Sequence, residues 1–166
     1  MSYTNLYLWL LLLNFLQSSF PYNAQIFNIT PNILLSFILA AISVLPLRTI
    51  WPIIIIAPLL LSFNSSISFS FLFFSFAVCS LIVLWINQKF ENQYFVYLSF
   101  FVVFFTNQVL NLCFLLYRNS YSVEQILTYF LHISLFEVAM DFCLAVVFFW
   151  LIGYFVKKPN LSIQME

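Results

Sequence analysis

Charged residues are so scarce in this chain that water cannot be the solvent for most of its surface. Its 166 residues include five Lys or Arg, five Asp or Glu and one His, and only 6% are charged. A soluble domain carries about 25% charged residues, whereas 64% of this chain is hydrophobic. Stretches such as Ile67–Ile86 are long enough to cross a bilayer, which takes about 20 residues. The sequence therefore predicts an integral membrane protein.

Six apolar segments are separated by short polar or proline-containing stretches. We predict an all-α membrane protein, a bundle of about six transmembrane helices in a single membrane domain that covers residues 1–166. The sixth segment is too long for one perpendicular crossing, so it is expected to tilt or to begin with an interfacial turn. Pro52 and Pro58 are expected to kink the third helix or to delay its start to Pro52. The predicted helices cover residues 3–20, 32–46, 49–63, 67–87, 94–117 and 125–156.

The basic residues predict how the bundle is oriented. With six crossings, Arg48, Lys89, Lys157 and Lys158 fall on one side of the membrane and Arg118 falls on the other. Because basic residues are enriched in cytoplasmic loops, both termini are expected to be cytoplasmic. No Lys or Arg precedes the first apolar segment, so we interpret it as a retained crossing rather than a cleaved signal peptide.

Polar residues within the last two apolar segments form a candidate site. Glu137 and Asp141 are four residues apart and share one face of a helix. Folding the two segments against each other brings polar residues of the fifth segment to a similar depth. Because ionisable residues in a membrane normally face the interior of a bundle, we predict a polar seam between these helices. Its members are Asn107, Asn111, His132, Glu137 and Asp141, and Gln108 lies beside them in the fifth segment.

Two interpretations of this polar seam are open. It could be a proton or ligand site, or it could hold helices together by hydrogen bonds, either within the bundle or with a partner's helix. We favour the second, because such contacts between membrane helices are common and each contributes about 1 kcal/mol.

Catalytic and metal-binding patterns are missing from the sequence. Gly153 is the single glycine, which excludes glycine-rich phosphate loops and the GxSxG nucleophile elbow. Cys79, Cys113 and Cys143 lie in apolar runs without CxxC spacing, as expected of small buried residues. The net charge is zero, so nothing indicates binding to nucleic acid. We predict neither an enzyme nor a bound cofactor or metal.

The stretch that joins the first two helices has a distinctive sequence. The first helix ends in Gln17, Ser18 and Ser19, and Pro31 and Asn32 precede Ile-Leu-Leu at the start of the second. This pattern resembles MreD, the bacterial rod shape-determining membrane protein. That family closes its first helix with a Gln-Ser-Ser-like turn and opens the second with a Pro-Asp/Asn-Leu-Leu step.

The resemblance extends along the chain but has two departures. The final helix, with Phe149-Trp150-Leu151 before its basic end, is similar to the family's last helix. The family's glycine-rich third helix is here rich in proline and isoleucine, and Ser62 stands near the family's Asp.

This resemblance implies a scaffold in the inner membrane rather than an enzyme. Proteins of the MreD family are partners of MreC, a bitopic membrane protein. With MreB filaments, RodA and a penicillin-binding transpeptidase, they maintain rod shape by directing lateral peptidoglycan synthesis. The expected partners of this chain are therefore the lipid bilayer, an MreC-like protein, RodA and such a transpeptidase.

Two other functional classes stay open. The chain could be the substrate-binding membrane component of an energy-coupling factor transporter. Asn107, Asn111, Glu137 and Asp141 would then line a pocket. It could also be an organelle-encoded subunit of a respiratory complex, because its 23 phenylalanines and frequent isoleucines fit an A/T-rich genome.

Overall fold

A computed structural model describes most of the chain as helix. The described residues are 3–19, 31–64, 68–90, 93–117, 124–125, 128 and 134–156. Within them, six helices have defined bounds, which confirms the predicted all-α fold for this part of the chain. They are α1 (Tyr3–Ser19), α2 (Ile33–Val44), α3 (Leu47–Asn64), α4 (Phe69–Lys89), α5 (Gln93–Tyr117) and α6 (Leu135–Val156).

Among the described residues, three helices have the length and composition needed to cross a membrane. The spans are Phe69–Lys89, Tyr94–Phe114 and Leu135–Val156. Two further apolar helices, Ile33–Val44 and Arg48–Phe63, are shorter. At about 1.5 Å per residue, α2 is about 18 Å long, which is less than the hydrocarbon core of a bilayer.

The last helix begins later than the sequence predicted. α6 starts at Leu135 rather than near residue 125, and Ser134 forms a wider, π-type turn directly before it. Helical residues also occur earlier, at Glu124, Gln125 and Thr128.

The prolines of α3 lie inside the helix. Pro52 and Pro58 both fall within Leu47–Asn64, so the helix does not begin at Pro52. Each proline removes one backbone donor, but the helix continues past both.

Contacts of α2 show how it runs relative to its neighbours. The end of α1 meets the start of α2, where the backbone N–H of Leu34 lies 3.0 Å from Oε1 of Gln17. The end of α2 meets the end of α4 through a 3.1 Å hydrogen bond from Asn87 to Ser43. α2 is therefore antiparallel to α1 and parallel to α4.

Aromatic contacts orient the remaining helices. Phe71 at the start of α4 packs against Phe114 at the end of α5, with ring centroids 4.3 Å apart. Tyr97 near the start of α5 meets Phe149 near the end of α6 at 6.0 Å. The chain thus passes up and down the bundle. We call the end where α1 begins and α6 ends the terminal end, and the other the opposite end.

The core of the bundle is organised around α2. Every residue from Ile33 to Ile42 is buried, and α2 packs most extensively against α6. Phe37 meets Phe148 edge to face, with centroids 5.5 Å apart. The buried residues of α6 recur at helical spacing and form one stripe. They are Val138, Asp141, Ala145 and Ile152.

Candidate functional site

The start of α2 lies inside the bundle rather than at its surface. It contacts Asp141, which is about 9 Å along α6 from Leu135 at 1.5 Å per residue. Leu34 and Leu35 in its first turn are fully buried. The first backbone N–H groups of a helix have no partner within the helix. Here water cannot supply one, so the protein must provide acceptors.

Two of these acceptors come from other helices. The Asn32 N–H donates to Oδ1 of Asp141 at 2.7 Å, and the Leu34 N–H donates to Oε1 of Gln17 at 3.0 Å. α6 and α1 are therefore both bound to the start of α2 through its backbone.

The other acceptors are local. Asn32 is the N-cap residue, and its side-chain Oδ1 accepts from the Leu35 N–H at 3.1 Å, as expected of Asn at this position. The Ile33 N–H lies 3.1 Å from the carbonyl oxygen of Pro31. All four N–H groups from Asn32 to Leu35 thus have an acceptor.

Ser36 brings the backbone of α6 close to α2. Its hydroxyl lies 3.0 Å from the carbonyl oxygen of Asn32 and 3.1 Å from that of Asp141, and its single proton can be donated to either. Ser36 is fully buried, so a larger side chain would have to displace α6. We refer to Gln17, Asn32, Ser36 and Asp141 together as the α2 cap.

The α2 cap gives the buried carboxyl group of Asp141 a hydrogen-bond donor. Asp141 is only 2% exposed, and the other buried residues of the α6 stripe are apolar. Burying a carboxylate is costly unless it is paired or hydrogen-bonded. The N-terminus of α2 supplies a backbone donor and the positive end of the helix dipole, both of which favour an anion. Within the described residues, no Lys or Arg forms an ion pair with it.

A second polar contact joins α5 to α6. Nε2 of Gln108 donates to Oε2 of Glu137 at 2.7 Å, and Gln108 is 5% exposed. The predicted seam between the last two helices is thus made by Gln108 and Glu137. Asp141, one turn farther along α6, bonds to α2 instead.

The other predicted members of the seam have different positions. Asn107 is buried and its Oδ1 accepts from the Ser75 hydroxyl on α4 at 2.7 Å, so it joins α4 to α5. Asn111 is half-buried, and no hydrogen bond joins it to α6 among the described residues. His132 lies outside the described residues.

The residues of the family-like motif fall at the junction of α1 and α2. Gln17 and Asn32 belong to the α2 cap, and Pro31 is buried beside Asn32. The Ser18 hydroxyl donates to the Phe15 carbonyl within α1 at 2.9 Å. Ser19 ends α1, and its side chain is outside the described part.

Ser36 and Ser75 take part in these contacts but were not predicted. The available signal for Ser36 is its spacing, because it lies four residues after the capping Asn32 in an otherwise apolar run. Ser75 has no comparable signal, since serines are frequent in the segment that forms α4.

Two grooves lined by described residues lie away from the α2 cap. A groove of about 360 Å³ on the outside of α6 is wholly apolar, and one of about 290 Å³ lies along α1 near Trp9. Neither groove contains a residue of the α2 cap. Among the described residues, no cluster of three His, Cys, Asp or Glu could hold a metal ion. The first groove is lined by Phe136, Ala139, Met140, Cys143, Leu144 and Val147.

Comparison of the chain with known family models, curated proteins and solved structures finds no match.

Proposed function

We propose that this protein is a non-enzymatic scaffold of the MreD type, which supports lateral peptidoglycan synthesis and rod shape by binding other membrane proteins. The observation that carries the proposal is the α2 cap. Gln17 and Asn32, through which the sequence resembles that family, both supply oxygen acceptors to the first turn of α2. Two residues of the family-like motif thus have a defined structural role in this chain.

In this proposal all six helices lie in the inner membrane, with both ends of the chain in the cytoplasm. The up-and-down order of the helices supports an even number of crossings. Arg48 and Lys89 are exposed at the terminal end, as basic residues are on the cytoplasmic side. The shortness of α2 is compatible with this arrangement, because its start lies within the bundle.

The orientation has a direct test with engineered cysteines in a background lacking the three native cysteines. Ser68 and Gln88 are both exposed, at the opposite and terminal ends respectively. A membrane-impermeant maleimide added to intact cells should label Ser68→Cys and leave Gln88→Cys unlabelled until the cells are opened. The reverse pattern would refute cytoplasmic ends.

The scaffold function is tested by isolating the tagged full-length protein from its host membranes in mild detergent. Mass spectrometry of the copurifying proteins should identify an MreC-like bitopic protein, together with RodA or a penicillin-binding transpeptidase. Asp141→Ala should reduce this recovery, because it weakens the joint between α2 and α6. Glu124→Ala is the matched control, since Glu124 is an exposed carboxylate, and should recover the same partners as the original chain.

Other outcomes of the same experiment would contradict the scaffold proposal. Recovery of ATPase subunits or of a bound small molecule would indicate a transporter component, and recovery of respiratory subunits would indicate an organelle protein. The transporter interpretation has less support, because Asp141, Glu137 and Asn107 each hydrogen-bond to a neighbouring helix.

A further inference from the structure

The four tryptophans of the chain all lie near the terminal end of the bundle. At about 1.5 Å per residue, Trp9 is about 9 Å along α1 from its start and Trp51 about 6 Å along α3. Trp85 is about 6 Å before the end of α4, and Trp150 about 9 Å before the end of α6. Because these helices alternate in direction, the four positions have similar depths.

These side chains point away from the helical core. Trp9, Trp51, Trp85 and Trp150 are 40%, 49%, 61% and 68% exposed. Tryptophan combines an apolar ring with an N–H donor, so it is enriched where hydrocarbon meets lipid headgroups. The described opposite end has no tryptophan, so this property belongs to one end of the bundle.

Two basic side chains accompany the tryptophans. Arg48 at the start of α3 and Lys89 at the end of α4 are both exposed. Nζ of Lys89 lies 5.0 Å from the ring centroid of Trp85, a cation–π distance. Within the described residues, neither basic side chain forms an ion pair with a carboxylate.

The two basic residues, Arg48 on α3 and Lys89 on α4, lie close to the end of α2. The hydrogen bond from Asn87 to Ser43 joins the end of α4 to the end of α2, and α3 begins directly after α2. Arg48 and Lys89 are thus held at one end of adjoining helices. Among the described residues, the carboxylates of Glu137 and Asp141 lie toward the opposite end, so the described part of the terminal end is the more positive one.

We propose that the terminal end is a binding surface for anionic phospholipids. Arg48 and Lys89 bind the lipid phosphate groups, and the rings of Trp51 and Trp85 set the depth of the surface at the headgroups. A guanidinium can bind a phosphate through two parallel hydrogen bonds, and an ammonium acts as a compact point charge. The proposal depends on insertion in a membrane but not on which protein the bundle binds.

The tryptophans themselves provide the readout. The purified full chain is reconstituted in phosphatidylcholine vesicles that contain brominated phosphatidylglycerol or, at the same mole fraction, brominated phosphatidylcholine. Bromine quenches nearby tryptophan fluorescence, and both leaflets contain the probe, so the orientation of the protein does not matter. Bromines near the headgroups should quench more than bromines near the bilayer centre.

The expected result is stronger quenching by the anionic lipid. Each basic residue near a charged surface should increase the preference for the anionic lipid about five-fold. This preference should weaken with added salt. The double variant Arg48→Gln/Lys89→Gln should lose the preference but keep the depth profile. Gln88→Ala, an uncharged change at the same end, should retain both.

Three results would overturn the proposal. Equal quenching by both lipids would show no selectivity for anionic headgroups. If Arg48→Gln/Lys89→Gln still prefers the anionic lipid, these two residues are not the cause of the preference. Absence of quenching by either lipid would mean that protein, such as a second copy of the chain, covers this end. None of these results depends on the pull-down experiment, so the two proposals can fail separately.

Discussion

The carboxylate of Asp141 accepts a 2.7 Å hydrogen bond from the backbone N–H of Asn32, which lies 109 positions earlier in the chain. The bond joins the two helices that pack most extensively, α2 and α6. It satisfies a backbone donor that lies away from water and gives a buried carboxylate a partner. Each group therefore depends on the other, and removing either should destabilise the bundle.

Replacing Asp141 by Ala should lower the free energy of unfolding by about 2–3 kcal/mol, because it leaves a buried N–H without an acceptor. Asp141→Asn keeps an oxygen that can accept from the Asn32 N–H, so it should cost no more than about 1 kcal/mol. Thermal unfolding in mild detergent, followed by circular dichroism, would measure both. Glu124→Ala should change little, and an equal loss of stability in it and Asp141→Ala would contradict the assigned role.

Gln17→Leu tests the acceptor supplied by α1. It removes the oxygen that binds the Leu34 N–H, and we expect a loss of about 1–3 kcal/mol. Gln88→Leu makes the same chemical change at an exposed position and is the matched control. Equal melting temperatures for the two variants would show that α2 does not need Gln17.

Ser36→Leu tests how closely α2 and α6 approach. The larger side chain must separate the helices at the Asp141 carbonyl, so we expect destabilisation by about 1–3 kcal/mol or more. Ser36→Ala only removes a hydrogen bond and should cost about 1 kcal/mol. Ser70→Leu, at an exposed position on α4, should be tolerated. A stable Ser36→Leu variant would mean that the helices are not in close contact there.

Gln108 and Glu137 should show coupled energetics. In a double-mutant cycle with Gln108→Leu and Glu137→Leu, we expect a coupling energy of about 0.6–1.7 kcal/mol, the range for such bonds between membrane helices. The pair Gln108→Leu and Gln17→Leu has no shared contact and should be additive within about 0.5 kcal/mol. Equal coupling in both pairs would argue against a direct bond.

Much of the fold could be predicted from the sequence. Long apolar runs broken by prolines and polar residues indicate an all-helical bundle, and the start of α2 at Pro31 and Asn32 was predicted to within a residue. The exception is α6, which starts at Leu135 rather than near residue 125. Polar residues are scattered from Glu124 to Ser134 without a proline or glycine, so the sequence does not mark one helix start.

The partners within the candidate site were harder to predict. Helical spacing places Glu137 and Asp141 on one face, but it does not say which helices lie against that face. Asn107 and Gln108 are about 100° apart around α5, so one faces α4 and the other faces α6. The partners of Asp141 and Gln17 are backbone N–H groups, which have no side-chain signal in the sequence.

The most direct test is whether α2 lies parallel against α6 in native membranes. Phe37 and Phe148 are in contact, whereas Phe155 is about 10 Å farther along α6. In a background without the native cysteines, a short bis-maleimide should link Phe37→Cys to Phe148→Cys. It should not link Phe37→Cys to Phe155→Cys. The predicted result, in the first pair alone, is that both thiols are consumed by a single reagent molecule, read by intact mass together with later PEG-maleimide labelling. Linking only in the second pair, or in neither, would contradict this arrangement of α2 and α6.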